Sequence, residues 1–125
     1  MCGIVGLFLK DRALEPQIGA MLTEMLITMT DRGPDSAGIA IYGNDRAETS
    51  KLTVQSDTPD EAFATLEGDL STALGSSVTL RRKDTHAVLE IPRGQLAPTR
   101  AALAQIDDSL RIMSSGDTIE IYIEV

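Results

Sequence analysis

The sequence predicts a mixed α/β (α+β) fold, and three patterns in its 125 residues support this prediction. Residues 2–9 form a short, almost wholly apolar run, which is typical of a strand covered on both faces. Between residues 16 and 30, apolar side chains recur at the spacing of one helix face. Residues 119–125 alternate aliphatic side chains with Glu or Tyr, which is the period of a half-buried strand. Helices and strands are therefore both expected.

The composition excludes several classes of protein. The chain has 11 Lys and Arg against 19 Asp and Glu, a formal net charge of −8, and only two Tyr and two Phe, so no nucleic-acid partner is expected. Its apolar stretches are too short to span a bilayer and its N-terminus lacks a secretory signal, so we expect a cytoplasmic protein without a membrane partner. A single cysteine allows no internal disulfide and no thiolate metal cluster.

Residues 1–45 are predicted to form a first structural part. It begins with the strand at residues 2–9 and continues with a helix that starts at Pro16, a residue tolerated in the first turn, and ends near Thr30. A Gly-Pro turn at Gly33 and Pro34 follows, and residues 37–42 form a second strand.

Residues 46–125 are predicted to form a second part in the order β-α-β-β-α-β, which is that of a ferredoxin-like module. A capping box at Thr58 with Pro59 at the first helical position marks one helix start, and Pro98 marks the other. The expected elements are a strand through Leu52 and Val54, a helix from Thr58 to Gly75-Ser76, strands through Val78 and Leu80 and through 87–91 joined near Lys83-Asp84, a helix from Pro98 through Leu110, and a last strand at 119–125.

Cys2 follows the initiator methionine, and this position changes its expected chemistry. Removal of Met1 is expected before a residue as small as cysteine, and it leaves a free α-amino group, which in general titrates at about pH 7.7–8.0. The amine can accept the thiol proton directly or through one water, so one residue supplies both nucleophile and base. The alternative is a small buried residue at the start of a strand, since most cysteines serve in packing.

Two motifs carry a family resemblance: Met1-Cys2-Gly3-Ile4-Val5-Gly6, and Asp31-Arg32-Gly33-Pro34-Asp35-Ser36-Ala37-Gly38 about thirty residues later. At these residues the chain resembles the class II glutamine amidotransferases, members of the N-terminal nucleophile (Ntn) hydrolase superfamily. It is more closely similar to the glutamate-synthase-related subunits, including the glutaminase-like subunit of N-methylglutamate synthase. The resemblance implies that residues 1–45 are the nucleophile segment of an αββα sandwich and that residues 46–125 are an insertion.

The resemblance also implies a reaction and its residues. The thiolate of Cys2 would attack the side-chain amide of glutamine, form a γ-glutamyl thioester and release ammonia for a second active site. Arg32 and Gly33 match the Arg-Gly turn that frames the family's nucleophile, and no metal or organic cofactor is implied. The implied partners are glutamine and a synthase subunit that accepts the ammonia, in a hetero-oligomer.

Two parts of the family's site have no counterpart in the chain. The only asparagine, Asn44, precedes Asp45 instead of the glycine of an Asn-Gly oxyanion hole. The only histidine, His86, does not match the family's Gly-His-Thr-Arg strand, and a structural role is expected for it. We therefore expect the N-terminal portion of such a domain with little activity alone, because one oxyanion donor supplies about 10²–10³ in rate.

Other readings stay open. A rival function is a non-catalytic assembly or small-molecule-binding module whose exposed strand edges pair with another subunit, and a third is a redox-sensing thiol at Cys2. Asp35 and Ser36 are expected to hold their turn through side-chain-to-backbone hydrogen bonds. The basic run at 81–83 is expected to be a solvated strand end.

Overall fold

The computed structural model describes residues 2–43 and 48–124. Within these ranges the fold is α+β, with helices and two antiparallel sheets, as the sequence predicts. The chain divides into a first unit that runs to Ala37 and includes Glu124, and a second unit, Gly38–Ile123. That residues 46–125 form an insertion stays a prediction. No helix among the described residues is both long and apolar enough to cross a membrane.

The first unit contains helical segments and no buried residue among those described. A 3₁₀ helix over Arg12–Gln17 is capped by Asp11, whose carboxylate accepts a hydrogen bond of 2.9 Å from the Ala13 N–H. Helix α1, Ile18–Ile27, follows, and a 3₁₀ turn occupies Thr30–Arg32. The helix predicted over 16–30 is thus confirmed in its central part, while Pro16 lies in the 3₁₀ segment before it.

The strand predicted at residues 2–9 is wrong. The structure assigns no strand there, and Ile4 and Phe8 are 95% and 85% exposed. A strand requires a hydrogen-bonded neighbour, and no described strand pairs with this run. Apolar composition alone therefore did not decide its conformation.

Among its described residues, the second unit contains two sheets and three helices. The larger sheet has four strands in the order β3-β4-β2-β5, with antiparallel pairing between all neighbours, and the smaller one pairs β1 with β6. The elements are β1 (Ala37–Tyr42), β2 (Thr49–Gln55), α2 (Pro59–Ala62), α3 (Leu66–Leu74), β3 (Thr79–Lys83), β4 (His86–Pro92), α4 (Leu96–Ile106), β5 (Arg111–Gly116) and β6 (Ile119–Glu124).

One face of the four-stranded sheet packs against the helices and forms the core. Alternate side chains of β2 and β4 point to this face, as the two-residue period of a strand requires. The helices supply the opposing layer. The buried core residues are Leu52, Val54, Ala87, Leu89 and Ile91 from the strands, Leu66, Leu70 and Leu103 from the helices, and Phe63 and Val78 from the connections.

Two predicted turns lie where the sequence predicts them, at the end of α3 and between β3 and β4. Gly75 ends α3 in the left-handed conformation at φ 60°, which is favourable for glycine because it has no Cβ. Asp84 has φ 54° in the turn that joins β3 to β4, the position expected for the hairpin. The predicted capping box is wrong, however, because the Thr58 side chain makes no capping hydrogen bond, although Pro59 does begin α2.

The C-terminal third departs from the prediction. The fourth strand of the module is β5, not the strand at 119–125, which pairs with β1 instead. Leu110 also lies outside α4, because Asp107 is extended and its carboxylate accepts a 2.9 Å hydrogen bond from the Ser109 N–H, which ends the helix. The run that forms β5, Arg-Ile-Met-Ser-Ser-Gly, lacks apolar alternation, so its period gave no strand signal.

Strands β1 and β6 form an antiparallel ribbon. The Gly43 N–H donates a 2.9 Å hydrogen bond to the Thr118 carbonyl at one end. At the other end, a Cβ placed on Gly38 would lie 3.3 Å from Ile123 Cγ1 and 3.4 Å from the Tyr122 carbonyl oxygen. Because residue 43 lies beside 118 and residue 38 beside 123, the two strands run in opposite directions.

Candidate active site

Cys2 is exposed and carries a free thiol. Among the described residues Cys2 is therefore not the small buried residue that the sequence offered as the alternative. Met1, whose removal the chemistry expected from the sequence would require, lies outside the described residues, as does Asn44.

Gly3 places the backbone beside Cys2 against the side chains of Met29 and Arg32. A Cβ added to Gly3 would collide with the Met29 methyl group and would lie 3.6 Å from Arg32 Cδ. Any residue larger than glycine would therefore displace Met29, which is flexible, before it could occupy this position. The structure thus brings Gly3, the neighbour of Cys2, close to the predicted site residue Arg32 within the first unit.

The turn that carries Arg32 is held by backbone hydrogen bonds. The Arg32 N–H donates to the Met29 carbonyl at 2.9 Å, and the Gly33 N–H donates to the Thr30 carbonyl at 3.3 Å. Gly33 has φ −161°, which any residue adopts, and a Cβ there would meet nothing within 4 Å. Glycine at this position therefore leaves an open space next to Arg32 instead of relieving backbone strain.

The expected hydrogen bonds of Asp35 and Ser36 are not present. Within residues 2–43 and 48–124 neither side chain makes a hydrogen bond, and both residues are exposed. Over the same ranges no group of three or more His, Cys, Asp and Glu could hold a metal ion. The first unit thus contains an exposed thiol at Cys2, and the Arg32 side chain lies near the backbone of the next residue, Gly3.

Sequence reasoning missed a buried charged cluster in the second unit. The Glu120 carboxylate, in a residue only 6% exposed, binds Lys51 Nζ at 2.8 Å and an Arg81 guanidinium nitrogen at 2.7 Å, and it accepts a 2.6 Å hydrogen bond from the Tyr122 hydroxyl. Burial acts to raise the pKa of Glu120, but these hydrogen bonds and charges outweigh it and lower the pKa to about 2. Burial and the Glu120 charge also raise the pKa of Tyr122.

This cluster determines which side chain of the last strand is buried. The alternation at 119–125 predicts a half-buried strand, and in the structure Glu120 is buried while Ile123 is 39% exposed. Glu120 could not be recognised from the sequence because its cationic partners lie 69 and 39 residues away along the chain.

His86 has the structural role expected of it. It is buried, and its Nε2 accepts a 3.1 Å hydrogen bond from the Ile123 N–H. Nδ1 lies 3.0 Å from the Thr85 hydroxyl, so the neutral ring with its proton on Nδ1 satisfies both contacts. The histidine therefore ties β6 to β4.

Comparison with known proteins finds two curated relatives whose names refer to glutamine amidotransferases. Over its whole length the chain is 57% identical to "Glutamine amidotransferase-like protein GlxB" of Rhizobium meliloti (strain 1021). It is also 28% identical over 134 residues to "Putative glutamine amidotransferase" of Methanothermobacter thermautotrophicus. The chain spans only 41% and 43% of the length of these relatives. No family model and no solved structure matches it.

Proposed function

We propose that the chain is the nucleophile-bearing portion of a class II glutamine amidotransferase related to the glutamate-synthase subunits. The observation that carries the proposal is the exposed thiol of Cys2. A Cβ built on the next residue, Gly3, would lie 3.6 Å from Arg32 Cδ. The relatives' names support glutamine as the substrate. The proposed compartment is the cytoplasm.

In the proposed reaction Cys2 acts as nucleophile and as base. Its α-amine takes the thiol proton, and the sulfur bonds to the side-chain carbonyl carbon of glutamine. The carbon–nitrogen bond then breaks, the amine returns the proton to the departing nitrogen, and ammonia leaves a γ-glutamyl thioester. Water subsequently cleaves the thioester to glutamate and restores the thiol. Arg32, whose Cδ would lie 3.6 Å from a Cβ built on Gly3, is proposed to help frame the site beside Cys2.

The proposed site is incomplete in this chain alone. No described residue of the first unit is buried, so nothing excludes water from Cys2. The curated relatives carry about three-fifths of their length beyond the matched segment. We infer that corresponding polypeptide encloses Cys2 and supplies the oxyanion donors, and that a partner synthase subunit consumes the ammonia in a hetero-oligomer.

Intact mass and covalent labelling test the proposal. The chain has one cysteine, so a glutamine-analogue electrophile that adds one equivalent reports on Cys2 alone. We expect a mass without Met1 and a labelling rate at least about tenfold above that of a small free thiol, because the α-amine would act as the base for the thiol. Cys2→Ser should abolish the adduct.

A matched pair of variants isolates the contribution of Arg32. Arg32→Ala should slow labelling, whereas Arg12→Ala, which removes another exposed arginine of the first unit, should leave the rate unchanged. Retention of Met1, or labelling no faster than that of a free thiol, would overturn the proposed function. That result would favour a non-catalytic assembly module. The exposed side chains of Ile4, Phe8 and Tyr42 are consistent with such a module, because exposed apolar surface often binds a partner.

A further inference from the structure

We propose that Met29 positions Cys2 for its reaction with glutamine. A Cβ built on Gly3, the residue after Cys2, would collide with Met29 Cε and would lie 3.6 Å from Met29 Sδ, so the end of this side chain lies against the Gly3 backbone. The Met29 carbonyl also accepts a 2.9 Å hydrogen bond from the Arg32 N–H. One residue therefore links the backbone beside the thiol to the turn that carries Arg32. The inference rests on the proposed function, because it concerns the geometry of the same thiol.

The burial of side chains alternates along residues 2–9. The odd-numbered ones from residue 5 onward are half-buried, whereas Ile4 and Phe8 are exposed. A period of two is that of an extended chain, in which alternate residues share a face. Residue 3 belongs to the half-buried face, which agrees with its contact to Met29. Cys2 belongs to the exposed face, so a contact on residue 3 can hold the thiol in place without covering it.

Met29 continues the half-buried face of helix α1 beyond the end of the helix at Ile27. It lies three and four residues after the last two members of that face, which is the spacing of neighbours on one side of a helix. The other half-buried residues of the face are Met21, Leu22, Met25 and Leu26. A methionine side chain is unbranched and flexible, so it can occupy the space that the absent Cβ of Gly3 leaves.

The expected role of this contact is to limit where the thiol can be. A nucleophile must meet the carbonyl carbon within a narrow range of positions, and a misplacement of about 1 Å can cost roughly a hundredfold in rate. Met29 touches neither the sulfur nor the substrate in this proposal, so it is a positioning residue. A reagent that needs orientation should therefore depend on Met29, while a small reagent that attacks any free thiol should not.

Met29→Ala tests the role through two labelling rates of the single cysteine. We expect the rate with a glutamine-analogue electrophile to fall about tenfold and the rate with iodoacetamide to stay unchanged, because only the analogue needs an oriented thiol. Met25→Ala removes the same atoms from a half-buried position one turn earlier, and it should leave both rates unchanged. Equal slowing by the two variants, or equal slowing with the two reagents, would overturn the proposal.

Gly3→Ala tests the same contact from the other side. Alone it adds a Cβ that collides with Met29 Cε, so it should also slow labelling by the analogue about tenfold. In the Met29→Ala background the collision is absent, so the further loss should be less than about twofold. Losses that simply multiply in the double variant would mean that the two residues act separately, which contradicts the proposal.

The unmodified chain separates this inference from the proposed function. If it labels no faster than a free thiol, the proposed function fails and the positioning role of Met29 fails with it. If it labels rapidly and Met29→Ala labels as rapidly, only the role of Met29 is overturned. A nuclear Overhauser effect between the Met29 methyl group and the Gly3 α-protons should be present in the unmodified chain, and its absence would also overturn the role.

Discussion

The two units of this chain both contain many apolar residues, but they differ in how far these residues are buried. In the second unit, strands and helices bury a continuous core in which Leu52, Leu70 and Leu89 are completely inaccessible. In the first unit no described residue is buried, although the segment contains Ile4, Phe8 and the methionine-rich helix α1. The difference teaches that an apolar stripe is buried only where a second layer faces it.

Helix α1 illustrates the point. Its apolar face, with Met21, Leu22, Met25 and Leu26, reaches only partial burial. The helices of the second unit, by contrast, pack on the strands β2 and β4. A helix gains most of its stability from tertiary packing and not from its own propensity, so the first unit should open far more readily than the second.

The largest expected contrast is between two leucine truncations. Leu89→Ala empties a fully buried position of β4 and should lower the free energy of unfolding by about 2–5 kcal/mol. Leu14→Ala removes the same atoms from a side chain that is 37% exposed in the first unit and should cost less than about 0.5 kcal/mol. Urea denaturation followed by circular dichroism measures both, and equal losses would mean that the first unit is packed in solution.

The buried carboxylate of the second unit provides the next contrast. Glu120→Gln should cost about 2–3 kcal/mol at pH 7, because Lys51 would keep its charge in a largely buried position without a counter-ion. Asp60→Asn, which breaks the exposed ion pair with Arg82, is the matched control and should leave the unfolding midpoint unchanged.

The pH dependence sharpens this prediction. The pKa of Glu120 is lowered in the folded state from 4.5 to about 2, so its ionisation stabilises the fold above pH 4.5. That contribution is lost as the pH falls from about 4.5 to about 2, and Glu120→Gln should flatten the stability profile in this window. An unchanged acid profile in the variant would show that other carboxyl groups dominate acid unfolding.

The smallest expected effect is a gain. Thr53 is fully buried on β2, and its hydroxyl finds no hydrogen-bond partner within the part of the chain that the structure describes. Thr53→Val keeps the shape, removes the unsatisfied group and should raise the free energy of unfolding by about 1 kcal/mol. Thr99→Val is the control, because the Thr99 hydroxyl donates to the Gln95 carbonyl at 2.6 Å, and it should give no gain.

Local sequence signals predict most of the helices and strands. They do not predict the features that depend on contacts between residues far apart in the chain. The strand at 37–42, the centre of the helix before it and the hairpin at Asp84 follow from apolar period and turn chemistry. The orientation of β6 does not, since period two identifies a strand but not its buried face. Cations from β2 and β3 decide that Glu120, not its aliphatic neighbours, points inward.

The candidate site shows the same division. The position of Cys2 and the motif around Arg32 predict the candidate residues, and the structure places the Arg32 side chain near Gly3. The contact between Met29 and Gly3 could not be predicted, because it depends on how α1 and its following turn return towards the N-terminus.

The hydrogen bond between Gly43 and Thr118 has a further consequence for how such a chain can change. The polypeptide leaves the ribbon and re-enters it at adjacent points, so a short reverse turn between these two residues would convert β1 and β6 into a plain hairpin. Such a hairpin would lose the side chains that bind β6 from the intervening stretch, namely His86, Lys51 and Arg81, so the ribbon and the stretch that it closes must change together.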